Sequence, residues 1–294
     1  MGGTAFVNGE ICSIMEARIP LVDAGFLRCD VCDDVVGVWK GKFFRLREHL
    51  DRFEKSYEGI GLSLKYSKEQ IRDILIDIVA RSKLRDSYVY MGATRGVPKG
   101  DPRDFENYDN ALYAFAIPYV WIADEAEQKT GIDLVVSAVQ RIPKESVDPT
   151  IKNHHWGDLL RASFEAHIRG AKTAILPDAH GNVTEGPGFN VFSVHKGKLL
   201  TPDSNVLLGI TRLTVLELAK EMGIPAEACP VSVEAFRSAD EIFLSSTAGG
   251  IMPVKSLDDR PLGNGKPGPL TTRLRDAYWK AHDDPRYTTV VNYD

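Results

Sequence analysis

The chain has 294 residues, 43% hydrophobic and 26% charged, with a formal net charge of −5. That composition is ordinary for a globular protein of one large or two medium domains, and its acidic balance argues against a nucleic-acid partner. No apolar run is long enough to span a membrane, and Met1-Gly2-Gly3-Thr4 lacks the basic and apolar stretches of a signal peptide, so a cytoplasmic protein is expected.

Early in the chain, Cys29 and Cys32 form a CxxC. A zinc site would need a second ligand pair at motif spacing, and none exists, so the cysteines read as free buried thiols and no metal is expected. "LREHLDRFEKSYEGIGL" predicts a helix with Leu50, Phe53 and Tyr57 on one face, ended by Gly59 and Gly61. "KEQIRDILIDIVARSKL" predicts a second, with Ile71, Ile74, Leu75 and Ile78 inward. Residues 88–96 and 111–123, rich in aromatic and branched side chains, read as strands. Between them "GVPKGDPRDFENYD" is a long loop of the kind that often serves function. "ADEAEQKT", residues 123–130, is charged and lacks large apolar side chains; it is the expected linker between a domain of residues 1–122 and one of 131–294.

Beyond the linker come a strand in "GIDLVVSAVQRI", the loop "PKESVDPTIKNHHWG" and the helix "DLLRASFEAHIRG". In "NVTEGPGFNVFSVHKGKLL", Val191, Ser193 and His195 alternate with Phe192 and Val194, as in a half-buried strand, and 195–198 form a turn. Glu185 stands just before, against Gly186-Pro187-Gly188. Either it is a solvated loop residue, or the glycines let a ligand approach and the carboxylate meets it. "GITRLTVLELAKEMGI" is a helix, "DEIFLSSTAGGIMPVKSLDDRPL" a strand, a small-residue turn and a strand, and "PLTTRLRDAYWKAHDD" the last helix.

Several of these segments suit an anion. Gly209-Ile210-Thr211 opens a helix, where unpaired N–H groups and the dipole favour phosphate, although a plain Thr cap is the commoner use. The turn Ser245-Ser246-Thr247-Ala248-Gly249-Gly250 is a second cup, or an ordinary turn. Arg52, on a helix face beside His49, is a third candidate, against the usual solvated arginine. Gly186-Pro187-Gly188 lacks the third glycine of a dinucleotide fingerprint, and GxxxxGK[ST], HExxH and GxSxG are absent. Lys152 lies among Ile151, Trp156 and two histidines; a loop lysine is normally solvated, but one drawn partly out of water becomes a nucleophile.

Taken together, "FFRLREHLDRF", "IKNHHWGDLLRASFEA", "VTEGPGFNVFSV", "LLGITR" and "SSTAGGIMPV" resemble, in order and spacing, the class IV pyridoxal-phosphate aminotransferases. Within that family the chain is most similar to the (R)-selective amine transaminases, with D-amino-acid and branched-chain aminotransferases as further relatives. The resemblance implies an α/β (α+β) fold of type IV: a small N-terminal α/β domain, a larger C-terminal β-rich pseudo-barrel domain, the cofactor in the cleft between them, and a homodimer. It implies pyridoxal 5′-phosphate as cofactor, amine and keto-acid substrates, Lys152 as the lysine that binds the cofactor and moves the proton, and Glu185 as partner of its ring nitrogen. Arg52, Ile210, Thr211, Ser246 and Thr247 would hold the phosphate. Asp33, Val35, Arg103, Phe115, Trp156 and Ala248 would line the substrate pocket. Asp33 stands where relatives commonly carry a tyrosine. Arg103 falls roughly where they place a carboxylate-binding arginine, and Asp33 could hold it when no acid is bound. The expected reaction is transfer from an (R)-amine or D-amino acid to a keto acid such as pyruvate. The alternatives are a D-amino-acid or branched-chain aminotransferase, or a lyase of the aminodeoxychorismate type.

Overall fold

A computed structural model describes residues 2–294. Two compact units divide the chain: the first holds the segment up to Val120 with Ile151–His154 and His282–Asp294, the second Trp121–Thr150 and His155–Ala281.

The first unit is an antiparallel sheet covered on one face by helices. Its strands are β1 (Thr4–Val7), β2 (Glu10–Ser13), β3 (Val31–Trp39), β4 (Lys42–Phe44), β5 (Ser87–Pro98) and β6 (Tyr108–Pro118), joined at one edge by the C-terminal strand Thr288–Val290. The short α1 (Ala24–Arg28) precedes β3. The covering helices are α2 (Leu46–Gly59) and α3 (Lys68–Ser82), and their inward residues are those the periodicity picks out: Leu50, Phe53 and Tyr57 on α2, and Ile71, Leu75 and Ile78 on α3 are buried. They pack on Cys32, Val36, Val38, Val89 and Met91, one side of the pleat of β3 and β5. The opposite face carries Asp33, Val35, Tyr90 and Phe115, because side chains alternate and Val35 pairs with Tyr90, which pairs with Phe115. Pro118 closes β6 five residues short of the expected strand end at 123.

In the second unit, residues 125–130 of the expected linker are helical. Asp124 and Glu127 form a capping box that starts the helix α4 (Glu125–Thr130). A nine-stranded sheet follows, formed by β7 (Ile132–Val136), β8 (Thr173–Ile175), β9 (Glu185–Gly186), β10 (Phe189–His195), β11 (Lys198–Thr201), β12 (Ala226–Ala228), β13 (Glu241–Ser246), β14 (Gly250–Leu257) and β15 (Arg260–Pro261). Helices α5 (Gly157–Ile168), α6 (Ile210–Glu221), α7 (Val233–Arg237) and α8 (Pro269–Ala281) complete the unit.

The β10–β11 hairpin turns through Lys196 (φ 50°) and Gly197 (φ 79°), both left-handed, as a two-residue type I′ loop requires. β10 lies between β11 and β13, and Phe189 to Val194 are all buried, so the strand is covered on both faces rather than half-buried as its alternation suggested.

Candidate active site

Lys152 belongs to a segment that returns to the edge of β3. Asn153 bridges Cys32, and the Asp33 N–H donates to the Lys152 carbonyl at 2.9 Å. This pairing sets the lysine side chain beside that of Asp33, and its ammonium contacts Asp33 Oδ2. His154 Nε2 stands 3.7 Å from Asp33 Oδ1 and 3.2 Å from the Tyr90 hydroxyl. Burial, and after it the charge of Asp33, push the Tyr90 phenol above its ordinary value, so it remains a neutral hydroxyl. Tyr90 stacks on Phe115 with ring centroids 4.9 Å apart. Lys152, Asp33, Val35 and Phe115 thus share one sheet face with Tyr90 and His154, neither of which sequence pattern marks as a site residue. Tyr90 was visible only as one aromatic in an alternating strand.

Arg103 does not pair with Asp33. It sits exposed in the β5–β6 loop, where its backbone N–H donates to Asp101, while Lys152 contacts the Asp33 carboxylate.

Asp34 points to the other side of β3, under α2. Arg52 grips it with Nε to Oδ2 at 2.7 Å and Nη2 to Oδ1 at 2.9 Å, and His49 Nδ1 meets Oδ1 at 2.7 Å. Burial alone would raise this carboxyl, but Arg52 and His49 outweigh it and hold Asp34 well below the usual carboxylate range. Burial lowers His49, so its ring stays neutral and Nδ1–H is the donor. Arg52 is therefore not a solvated surface arginine; one edge of its guanidinium is fixed by a buried anion.

Of the two CxxC cysteines, Cys32 is buried, and burial followed by Asp33 and Asp34 pushes its thiol far up, which leaves it unreactive. Cys29 is only half-buried and caps α1 in a left-handed conformation.

In the second unit Glu185 is buried. Arg141 donates to its Oε1 from Nε at 3.2 Å and Nη2 at 3.0 Å, and the Leu207 N–H donates to Oε2 at 2.9 Å. Arg141 Nη1 also donates to Asp158 Oδ2 at 2.7 Å. Burial pushes the Glu185 carboxyl up, against the pull of Arg141 and Leu207. Two buried carboxyl groups share one guanidinium in this triad. Glu185 is therefore not a solvated loop glutamate. Neither Arg141 nor Asp158 was picked out from the sequence, because nothing local marks a contact 44 residues long.

The glycines beside Glu185 shape the backbone and its packing. Pro187 and Gly188 (φ 84°) make the two-residue turn that returns β9 onto β10, with proline and a left-handed glycine where a type II turn takes them. A Cβ on Gly186 would stand 2.1 Å from the Phe189 ring, so its bareness serves packing.

α6 starts at Gly209, and no side chain caps it. Thr211 is the second helical residue rather than the cap, it is buried, and no acid lies in the first turn. The first-turn N–H groups and the positive dipole end are thus left for an anion. Gly209 is required here, since a Cβ would stand 2.1 Å from Asn190 Oδ1. The turn from β13 to β14 carries Ser246, whose hydroxyl donates to the Gly188 carbonyl at 2.7 Å and accepts from the Ala248 N–H, with Thr247 between. Trp156 caps α5 and packs against Leu159 and Val135.

The first unit thus offers an amine and a fixed arginine, and the second a buried carboxyl group and an uncapped helix start. Residues 33–257 match the family described as Amino-transferase class IV. A putative branched-chain-amino-acid aminotransferase of Methanocaldococcus jannaschii is 31% identical over 277 residues, 93% of this chain and 94% of the relative. A D-alanine aminotransferase of Listeria monocytogenes is 33% identical over 273 residues, 91% and 92% of the two chains. Among solved structures, the branched-chain amino acid aminotransferase from Thermobaculum terrenum in its pyridoxal-phosphate form superposes with a TM-score of 0.88 at 30% identity, over 98% of each chain.

Proposed function

Since the chain belongs to the class IV aminotransferases, with pyridoxal 5′-phosphate as cofactor, we propose that it moves the amino group of an (R)-amine to a keto acid such as pyruvate, in a ping-pong cycle. The observation that carries this reading is Asp33. A carboxylate on the sheet face beside Lys152 repels a donor that brings its own carboxylate there and tolerates an uncharged substituent.

In this reading Lys152 binds the cofactor and takes the proton that leaves the substrate carbon. Glu185, backed by Arg141, holds the proton of the ring nitrogen. Arg52, the Ile210 and Thr211 N–H groups, and the Ser246–Thr247 turn bind the phosphate. Val35, Phe115, Trp156 and Ala248 supply apolar substrate contacts, and Arg103, on an exposed loop, receives the keto-acid carboxylate. When bound, the pyridine ring supplies an electron sink that eases proton loss beside the amino group.

A second reading, transamination of D-amino or branched-chain amino acids, is favoured by the names of the relatives. A donor panel with pyruvate decides between the two. Turnover of (R)-1-phenylethylamine, with no turnover of its (S) form and weaker turnover of D-alanine and L-leucine, is expected. Turnover of amino acids alone would replace the first reading by the second.

The proposal extends to a homodimer in a reducing cytoplasm. α5 exposes Leu160, Phe164 and Ile168, an apolar stripe at helical spacing, and the four thiols are unpaired. Sedimentation at the 32.6 kDa mass of one chain would contradict the dimer.

A further inference from the structure

We propose that Asp33 is the positioning residue of Lys152: its carboxylate contacts the side-chain nitrogen, holds it in place and aims it along the sheet face. This rests on the reading of Lys152 as the lysine that carries the cofactor.

The geometry ties the two residues twice. The Asp33 N–H donates to the Lys152 carbonyl at 2.9 Å, and Asp33 Oδ2 contacts Lys152 Nζ. Backbone and side chain are thus fixed by one residue, and the four-carbon stem between them has little freedom left. The Asp33 side chain is 4% exposed and that of Lys152 21%, so the pair works at low dielectric, where a lone ammonium is costly. Among the described residues no hydrogen-bond donor reaches Asp33 Oδ1.

The other groups around the pair are few. On β5, Tyr88 and Tyr90 are raised by burial first and then by Asp33, so both stay neutral. Cys32 on β3 is likewise a neutral thiol. Asp34 points away and is balanced by Arg52 and His49. His154, at 3.7 Å from Oδ1, is the other basic side chain recorded against Asp33. Lys152 is therefore the main charge partner of Asp33.

The step this serves balances simply. A proton leaves the substrate carbon with its electron pair left behind, and Lys152 Nζ accepts it and becomes ammonium. Asp33 forms no bond; its charge neutralises the ammonium, and its position keeps Nζ on the face that also carries Val35, Tyr90 and Phe115.

The test reads Lys152 directly, without turnover. The full chain, freed of cofactor, is treated with acetic anhydride at neutral pH, and acetylation of Lys152 is followed by peptide mass spectrometry, with exposed Lys55 as internal reference. The contact with Asp33 ties up Lys152 Nζ, and a charge-assisted hydrogen bond is worth about 1.5–3 kcal/mol, roughly tenfold or more in a rate, so Asp33→Asn should speed Lys152 acetylation by about tenfold or more and leave Lys55 unchanged. Asp33→Glu should return the rate toward wild type, which mere loosening of the sheet would not explain. Asp33→Asn that labels at the wild-type rate overturns the proposal. If Asp33→Asn does not fold, the wild type decides: Lys152 labelled as fast as Lys55 overturns it, and slower labelling supports it. In the loaded enzyme the same variant should lose kcat with little change in KM for the amine. Labelling as expected in a chain that transaminates nothing would sink the proposed function and leave the pairing standing.

Discussion

Glu185 shows how a residue's meaning is set by its partners. Alone it is a loop glutamate; with Arg141 and Asp158 it is one of two buried acids sharing a single guanidinium. Glu185→Gln keeps the shape and removes the carboxylate, and Arg141 still has Asp158, so the fold should hold. The proton of the ring nitrogen then loses its charged partner. The half-reaction from amine to aminated cofactor, measured by single-turnover stopped flow, should slow by on the order of a hundredfold or more. An unchanged rate would refute the pairing of Glu185 with the ring.

The strand β3 carries two adjacent carboxylates that do unlike things, because successive side chains leave a strand on opposite faces. Asp33 serves Lys152, while Asp34 anchors α2 through Arg52 and His49. Removing one member of a buried pair leaves the other uncompensated, so Asp34→Asn should cost on the order of 3–5 kcal/mol. The Asp34 carboxyl is depressed in the folded chain, so its stabilisation is present above its unfolded value, about 3.9, and is lost as pH falls through the folded value. Denaturant melts of wild type and variant should therefore differ at neutral pH and converge in acid. A constant gap down to the lowest accessible pH would contradict the assignment. Local pattern made α2, α3, α5, α6, α8 and the β10–β11 hairpin legible in the sequence, because each has periodicity and a stop signal of its own. It did not show that α4 is helical, and it hid the return of Ile151–His154 to β3 and the Arg141–Glu185 pair. Those depend on which distant segments meet, and no short window of sequence carries that.

At the scale of the molecule, each unit holds its own part of the proposed machinery: Lys152, Asp33 and Arg52 in the first, Glu185, Arg141 and the start of α6 in the second. The family match spans 33–257 and so includes both sets. The resemblance named Lys152, Glu185 and the phosphate-binding segments; the structure adds the partners that give them charge and orientation. Everything proposed for the reaction depends on Lys152 being the lysine that bonds the cofactor. Borohydride reduction of the pyridoxal-phosphate-loaded chain, followed by peptide mapping, tests this directly. The account predicts a single phosphopyridoxyl group on Lys152, lost together with turnover in Lys152→Ala; the label on another lysine, or turnover retained in Lys152→Ala, would contradict it.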